Sequence, residues 1–269
     1  MSQATPTHVE VDGRAMPPDG PHPLALATHG HFTVMQVRGG GVRGLGLHLA
    51  RLDAANRELY GSPLTSDLLR ARIRHALAGA GAGAGDASAG TSGGDATVRV
   101  VATRTAGDGP SRIIVAVTAP AEASAVPQRL LSVPYTRPFA HIKHLGTFGQ
   151  LQYNRVARAR GFDEALLTCP DGTMTEGATT NVGFLSADTV VWPAAPALHG
   201  VTMALVEPLT NGVREPLRLA DLDRFDAAIV TNSRGIAPVA AIDDHRFPGS
   251  TPLVEELIRR YRAIPLDAV

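Results

Sequence analysis

A single lysine stands out among the side chains of this 269-residue sequence that could do chemistry. Lys143 is the only lysine, whereas arginine occurs 24 times. A lysine amine can lose its proton and attack a carbonyl carbon to form a Schiff base, but a guanidinium keeps its charge at any ordinary pH. Lys143 is therefore a candidate nucleophile. Composition alone leaves open the alternative that it is a chance survivor of a strong bias toward arginine.

Other reactive groupings are weakly represented. The pairs His29/His31 and His141/His144 lack the H-E-x-x-H spacing and have no carboxylate at ligand spacing. Cys169 is the only cysteine, so it supports neither an internal disulfide nor a cysteine-based zinc site. The sequence has no G-x-S-x-G nucleophile elbow. We therefore expect no metal site, no cysteine redox chemistry and no serine hydrolase.

Charge and hydropathy narrow the choice of partners. Lys plus Arg and Asp plus Glu both total 25, so the net charge is zero and no basic surplus is available for nucleic acid. No apolar run approaches the 18 or so residues that would span a bilayer, and the first residues lack the apolar core of a signal peptide. We expect a cytoplasmic protein that binds neither nucleic acid nor membrane.

The elements that must position these side chains begin with alternating strands and amphipathic helices. The patterns predict strands at 8–11 and 32–38, a turn at 39–41 into a strand over 42–47, helices over 48–61 and from about Ser66, and strands at 98–104 and 112–118. Residues 79–94, GAGAGAGDASAGTSGG, offer almost no side chain to bury and predict a flexible surface loop.

The second half contains a comparable mixture. The patterns predict a helix that aligns Phe148, Leu151, Arg155 and Ala159, strands near 164–169, 181–185, 189–192 and 225–233, and helices from about 201 and over 252–262. The Ala/Pro-rich stretch 119–127 is typical of a connector. We therefore predict an α+β fold in two lobes, with a small N-terminal domain of 1–122 and a larger domain of 123–269 that carries Lys143.

Five motifs occur in the order found in a known family. They are HLARL (48–52), IKHLGTFG (142–149), GFDEALLTCPDGTMTEGATTNVGF (161–184), LHGVT (198–202) and VTNSRGIAPV (230–239). In these motifs the sequence resembles the class IV, or fold-type IV, pyridoxal-phosphate enzymes. That family includes branched-chain and D-amino-acid aminotransferases and aminodeoxychorismate lyase. The resemblance covers the chain from about Phe32 to Val239.

The resemblance implies roles for two residues at the reacting end of pyridoxal 5′-phosphate. Lys143 matches the lysine that forms the Schiff base and then moves a proton between the substrate Cα and the cofactor C4′. Glu176, in TEGATTN, matches the acid that keeps the pyridine nitrogen protonated, so that the ring can accept the electrons left on Cα.

The same resemblance implies a phosphate site and a substrate site. Arg51 matches the phosphate-binding arginine, Val201 and Thr202 match a helix start that binds phosphate, and Asn232 and Ser233 match a second phosphate loop. The last of these loops is one residue shorter than is common. The expected substrate-binding residues are Phe32, Arg99 and Arg104, with either arginine receiving a carboxylate. The family also implies amino-acid and 2-oxo-acid substrates and a homodimer.

Departures from the family pattern keep alternatives open. Thr33 stands where a glutamate usually follows phenylalanine, Phe148 stands where branched-chain enzymes have a tyrosine, and Met203 stands where an arginine is frequent. Our principal hypothesis is an aminotransferase. The alternatives are an aminodeoxychorismate lyase, which releases pyruvate and forms 4-aminobenzoate, and a relic that binds the cofactor without turnover.

Overall fold

Two compact units make up the chain. A computed structural model describes residues 5–16, 29–82, 94–104, 109–187 and 189–269. Unit 1 comprises residues 1–121, 142–146 and 265–269, and unit 2 comprises residues 122–141 and 147–264. The division near residue 121 lies next to the expected boundary, but the segment with Lys143 groups with unit 1 instead of the larger unit.

Unit 1 is a five-stranded sheet with two helices packed on one face. Its main elements are β1 (His8–Val11), β2 (Arg14–Ala15), β3 (Gly30–Val37), β4 (Gly41–Val42), α1 (Leu45–Tyr60), α2 (Ser66–Ala82), β5 (Ala96–Thr103) and β6 (Arg112–Thr118). The sheet order is β2-β1-β6-β5-β3, and all neighbouring strands are antiparallel. The position of β3 at the end of this order leaves one of its edges without a long partner strand.

Alternation along the strands of unit 1 explains its core. Met35 and Val37 on β3 and Val98 and Val100 on β5 point to the helices, where they pack against side chains such as Leu52 of α1. The opposite face of the same strands carries a smaller apolar cluster that includes Phe32 and Val101. Unit 1 is therefore a two-layer α+β structure.

The hairpin turn after β3 forms as predicted, but the long strand that should follow it does not. Gly39 and Gly40 both have positive φ, at 52° and 77°, as a two-residue type I′ turn requires. Only Gly41–Val42 is extended after the turn, and α1 already begins at Leu45. The prediction of a strand over 42–47 was wrong because Gly44 adopts a left-handed conformation at φ 66° and starts the helix.

Both helices of unit 1 were predicted from their apolar spacing and are confirmed. The helix α1 ends at Gly61, whose φ of 66° gives the expected left-handed C-cap. The helix α2 begins at Ser66, where it was predicted to begin. The hydroxyl of Thr65, the residue before the helix, accepts the N–H of Leu68 in the first turn. Residues 79–82, which we expected in a loop, belong to α2, and residues 83–93 of that predicted loop lie outside the described residues.

Unit 2 is built on a mixed sheet with helices between and beyond its strands. The elements are β7 (Gln128–Pro134), α3 (Phe148–Ala159), β8 (Glu164–Thr168), β9 (Met174–Gly177), β10 (Asn181–Ser186), β11 (Thr189–Pro193), α4 (Val201–Val206), β12 (Val213–Glu215), β13 (Ala227–Asn232), β14 (Gly235–Ile242), β15 (His245–Arg246) and α5 (Pro252–Arg262). Its strand order is β12-β11-β10-β13-β14-β7-β8-β9, and β15 pairs with β14. The predicted strands and helices of this half are thus present, and the prediction of an α+β fold is confirmed.

The helix α3 forms where it was predicted, but the face that the pattern aligned is not the buried one. Phe148 and Leu151 on that face are 81% and 42% exposed. Ala157 is buried instead, in a cluster with Leu167 of β8 and the partly buried Tyr153. The periodicity identified the helix correctly but not the side of it that packs on the sheet.

The C-terminal residues 265–269 belong to unit 1. The strand β16 (Asp267–Ala268) pairs antiparallel with β4, and the Asp267 carboxylate accepts the backbone N–H of Leu45 at 2.8 Å. Among the described residues no helix is long and apolar enough to cross a bilayer. In the same part of the chain no three His, Cys, Asp or Glu side chains converge as metal ligands would.

Candidate active site

The segment that carries Lys143 is attached to the open edge of β3. The Phe32 N–H donates to the Lys143 carbonyl, and the Leu145 N–H donates to the Gly30 carbonyl, both at 2.8 Å. His31 and His144 form an antiparallel bridge between these two bonds. An edge strand has free backbone groups for such pairing. This pairing is the reason that residues 142–146 group with unit 1.

One aromatic ring brings together three of the expected residues. The Lys143 Nζ lies 4.9 Å from the centroid of the Phe32 ring, and the Arg99 Cζ lies 3.9 Å from the same centroid. Burial lowers the pKa of Arg99, and its Nε atom is buried with no hydrogen-bond partner among the described residues. Unit 1 thus places a guanidinium and an amine around Phe32.

Arg104 does not join this group. Its guanidinium lies over the ring of Tyr60, with 4.9 Å between Cζ and the ring centroid, and donates to the Ser62 hydroxyl at 3.0 Å. Of the two arginines expected to receive a substrate carboxylate, only Arg99 lies beside the same ring as Lys143.

Arg51 is held on the inner side of α1 by uncharged groups. Its Nη2 donates to the Thr33 hydroxyl and lies 3.5 Å from the His48 Nδ1. Thr33 and His48 are themselves 2.7 Å apart and are both buried. Burial lowers the pKa of Arg51 to about 10. The guanidinium is therefore a largely desolvated cation whose orientation is fixed by β3 and α1.

Glu176 on β9 forms a buried ion pair that the motifs did not reveal. Arg137 Nε donates to Glu176 Oε1 at 2.9 Å, and both side chains are less than a tenth exposed. The Arg137 guanidinium also donates to the carbonyl of Ala140. The other carboxylate oxygen of Glu176 accepts the N–H of Leu198 at 3.1 Å. The arginine thus places a positive charge next to this carboxylate inside the unit.

The loop before α4 is fixed by residues of the TEGATTN motif. Asn181 donates its side-chain N–H to the carbonyl of Leu198 at 2.6 Å. A Cβ atom at Gly200 would clash with the Asn181 side-chain oxygen, so a larger residue there would have to displace the Asn181 side chain. The helix α4 then begins at Val201, and both Val201 and Thr202 are buried. The predicted helix start at these residues is confirmed.

The expected second phosphate loop is a tight hairpin between β13 and β14. Asn232 pairs with Gly235, which leaves Ser233 and Arg234 as a two-residue turn. This turn accounts for the missing residue in the motif. The Thr202 hydroxyl donates to the Asn232 carbonyl at 2.6 Å. Unit 2 therefore brings the start of α4 together with this hairpin.

A second buried carboxylate supports the turn after Glu176. Glu164 on β8 accepts hydrogen bonds from the backbone N–H and hydroxyl of Thr179 and from the hydroxyl of Thr180. Burial raises the pKa of Glu164, while these hydrogen bonds act against the rise. Glu164 thus anchors the turn between β9 and β10.

The three departures from the family pattern occupy different environments. Thr33 contributes to the contacts of Arg51, whereas Met203 is buried in an apolar core with Val254 and Leu257 of α5. Phe148 is exposed at the start of α3. Only Thr33 is hydrogen-bonded to one of the expected site residues.

Sequence reasoning missed Arg137, His48 and Glu164. Arg137 and Glu176 are 39 residues apart, so no local spacing rule connects them. His48 is part of the HLARL motif, where the spacing of three residues to Arg51 would have indicated neighbouring side chains on α1. Glu164 lies in a strand, and only tertiary structure shows its three hydrogen bonds.

Comparisons with known proteins agree with this architecture. The sequence model of the family described as amino-transferase class IV matches residues 30–242. By sequence, no protein in a curated set matches the chain.

Solved structures of similar fold cover nearly the whole chain. A hypothetical aminotransferase from Mycobacterium tuberculosis in its PLP-bound form is 21% identical, with a TM-score of 0.78 over 96% of this chain and 98% of that one. The branched-chain amino acid aminotransferase from Thermobaculum terrenum in its PLP form is 19% identical, with a TM-score of 0.78 over 97% and 94%. A fold IV-transaminase from Curtobacterium pusillum is 23% identical, with a TM-score of 0.78 over 93% of each chain.

Proposed function

The chain belongs to the class IV aminotransferase family, and from that premise we propose that it is a pyridoxal-phosphate enzyme that transfers an amino group between an amino acid and a 2-oxo acid. The observation that carries the proposal is the placement of Lys143. The segment that carries the only lysine of the chain is joined to β3 by two backbone hydrogen bonds, one to the Lys143 carbonyl and one from the Leu145 N–H. The Lys143 amine and the Arg99 guanidinium both lie beside the Phe32 ring.

The residues present fit the cofactor in each unit taken alone. Arg51 is a half-buried cation, and its buried Nε has no hydrogen-bond partner among the described residues, which suits a phosphate. Glu176 is a buried carboxylate paired with Arg137, and each of its oxygens has one bonded donor, so it can still accept a proton donor such as a pyridinium. The Mycobacterium tuberculosis protein of similar fold has been solved in PLP-bound and PMP-bound forms.

In this proposal each residue has a limited task. When bound, pyridoxal phosphate supplies an aldehyde that captures amines and a pyridine ring that accepts electrons from the substrate α-carbon. Lys143 Nζ is the attachment point and the base that takes and returns a proton, and Glu176 holds a proton on the pyridine nitrogen. Arg51 binds the phosphate, and Arg99 binds a substrate carboxylate beside Phe32.

Within unit 2, the proposal assigns phosphate contacts to the start of α4 and to the hairpin after β13. The Thr202 hydroxyl is already donated to Asn232, so the proposal assigns to Val201 and Thr202 their backbone N–H groups. Asn232 and Ser233 keep their proposed role in the hairpin. We also retain the homodimer and the cytoplasmic location as parts of this proposal.

Because Lys143 is the only lysine of the chain, covalent attachment of the cofactor to a lysine can be assigned to this residue directly. We expect purified protein with PLP to show a visible band, and borohydride to fix the cofactor to the peptide that contains Lys143. Peptide mass mapping distinguishes this site from the terminal amine. The variant Lys143→Ala should lose both the band and the fixation while keeping its far-UV circular dichroism.

Activity measurements separate the proposed reaction from the lyase reaction. Amino donors should bleach the band, and a 2-oxo acid should restore it. Formation of pyruvate and 4-aminobenzoate from aminodeoxychorismate, without amino-group exchange, would overturn the aminotransferase proposal. A protein that binds PLP but transforms no amine would be the relic, and a protein that binds no PLP would contradict the assignment of Lys143 and Glu176 together.

A further inference from the structure

Arg51 lies at the end of a short chain of hydrogen bonds that crosses from α1 to β3. Arg51 Nη2 contacts the Thr33 hydroxyl, and that hydroxyl contacts the His48 Nδ1 at 2.7 Å. Thr33 is fully buried and His48 is 4% exposed. The two residues meet Arg51 from different elements, β3 and α1, and together they restrict the direction in which its guanidinium points.

The direction of each hydrogen bond follows from the donor and acceptor chemistry of the groups. A guanidinium can only donate, so the Thr33 oxygen accepts from Arg51. The Thr33 proton is then available to His48 Nδ1, which must be the unprotonated ring nitrogen. Burial, followed by the charges of Arg51 and Lys143, lowers the pKa of His48 well below its usual value, in agreement with a neutral ring.

This arrangement holds a cation without neutralising it. Among the described residues, Arg51 has no ion pair, and its recorded hydrogen-bond contacts are those with Thr33 and His48. Burial is the sole cause of its lowered pKa, with no carboxylate acting in the opposite direction. Arg51 is only partly exposed, and a partly desolvated cation without a counter-ion carries a desolvation cost that a bound anion offsets.

We propose that Thr33 and His48 are positioning residues that fix the Arg51 guanidinium while leaving its charge available to the phosphate of the cofactor. The inference rests on the proposed function.

The test compares two ligands that differ by the phosphate alone. Full-length protein freed of cofactor is titrated with pyridoxal 5′-phosphate and with pyridoxal, and the ratio of the two Kd values gives the phosphate preference. For Thr33→Val, which keeps the shape and removes the hydrogen bonds, we expect this preference to fall ~10-fold. Thr33→Ser should retain it within about threefold, because the serine hydroxyl can make the same two hydrogen bonds.

A merely structural role for Thr33 predicts a different result. A structural role would weaken the binding of both ligands equally, so the ratio of the two Kd values would stay unchanged. The ratio would also stay unchanged if the substitution had no effect on binding. Either result overturns the inference. If Thr33→Val does not fold, His48→Leu, which removes the acceptor of the Thr33 proton, is measured in its place with the same expectation. Retention of the phosphate preference in Thr33→Ser, beside its loss in Thr33→Val or His48→Leu, supports the inference.

The variant Arg51→Met separates this inference from the proposed function. If Arg51→Met abolishes the phosphate preference but Thr33→Val and His48→Leu leave it intact, only the positioning roles are wrong. If Arg51→Met itself leaves the preference unchanged, the assignment of Arg51 to the phosphate fails, whatever Thr33 does.

Discussion

At the scale of single residues, the buried pair of Arg137 and Glu176 shows how a carboxylate can be kept charged in a protein interior. Desolvation of both ions is costly, and the pair is retained only because the two groups bond each other and nearby backbone groups. Removing one partner therefore leaves an uncompensated charge.

We predict that Arg137→Met lowers the free energy of unfolding by about 3–5 kcal/mol, because Glu176 is left buried without its counter-ion. Adding Glu176→Gln should recover part of this loss, since the unpaired charge is then removed. The measurement is a double-mutant cycle by urea unfolding. Arg259→Met, at an exposed ion pair with Glu256, is the control and should change little. Strictly additive effects would contradict the coupling.

The sequence identified single residues where composition or a motif distinguished them. Lys143 was conspicuous as the only lysine, and Glu176 and Arg51 lay within recognisable motifs. Arg137 was not identified, because its importance arises from a contact with a residue 39 positions away. The roles of the identified residues remain predictions.

At the scale of elements, α1 illustrates what apolar spacing can and cannot fix. The spacing predicted the body of the helix correctly, since Leu49, Leu52 and Ala55 are all buried. It did not predict the first turn, because the N–H of Leu45 is satisfied by Asp267, which lies 222 positions later in the chain. Helix starts need acceptors for their free N–H groups, and this acceptor is supplied by tertiary structure.

We therefore predict that Asp267→Ala destabilises α1, with a loss of about 1 kcal/mol in the free energy of unfolding. Asp267→Asn should lose less, because an amide oxygen still accepts the Leu45 N–H although the favourable charge at the helix start is gone. Hydrogen exchange of the α1 peptide should show the fraying directly. The control is Asp244→Ala at an exposed position, and an equal effect of the two alanine variants would contradict the capping role of Asp267.

At the scale of the whole molecule, the two units differ from a simple division of the sequence. The segments 142–146 and 265–269 join unit 1 through backbone pairing with β3 and β4. Hydropathy could indicate the fold class and the connector at 119–127, because these depend on local pattern. It could not indicate that residues 142–146 would pair with the edge strand β3, or that residues 265–269 would pair with β4.

The stability of unit 1 should depend on pH through two buried histidines. Burial is the main cause that lowers the pKa of both His31 and His48 below the ordinary value of 6.5. The unfolded chain, with ordinary values, therefore binds more protons than the folded chain as the pH falls through 6.5, and stability is lost in that direction. When the pH falls from 7.5 to 5.5, each histidine that stays neutral in the folded state lowers the free energy of unfolding by up to about 1.4 kcal/mol.

Urea unfolding of wild type and His48→Gln at these two pH values tests this expectation, because glutamine cannot take up the proton in either state. The loss of unfolding free energy between pH 7.5 and pH 5.5 should be about 1 kcal/mol smaller in the variant than in wild type. Glu164 acts with the opposite sign, because burial raises its pKa and the folded state then takes up a proton more readily at low pH. Since Glu164 is present in every variant, its contribution cancels in the difference, and an unchanged loss in His48→Gln would show that His48 is not neutral in the folded protein.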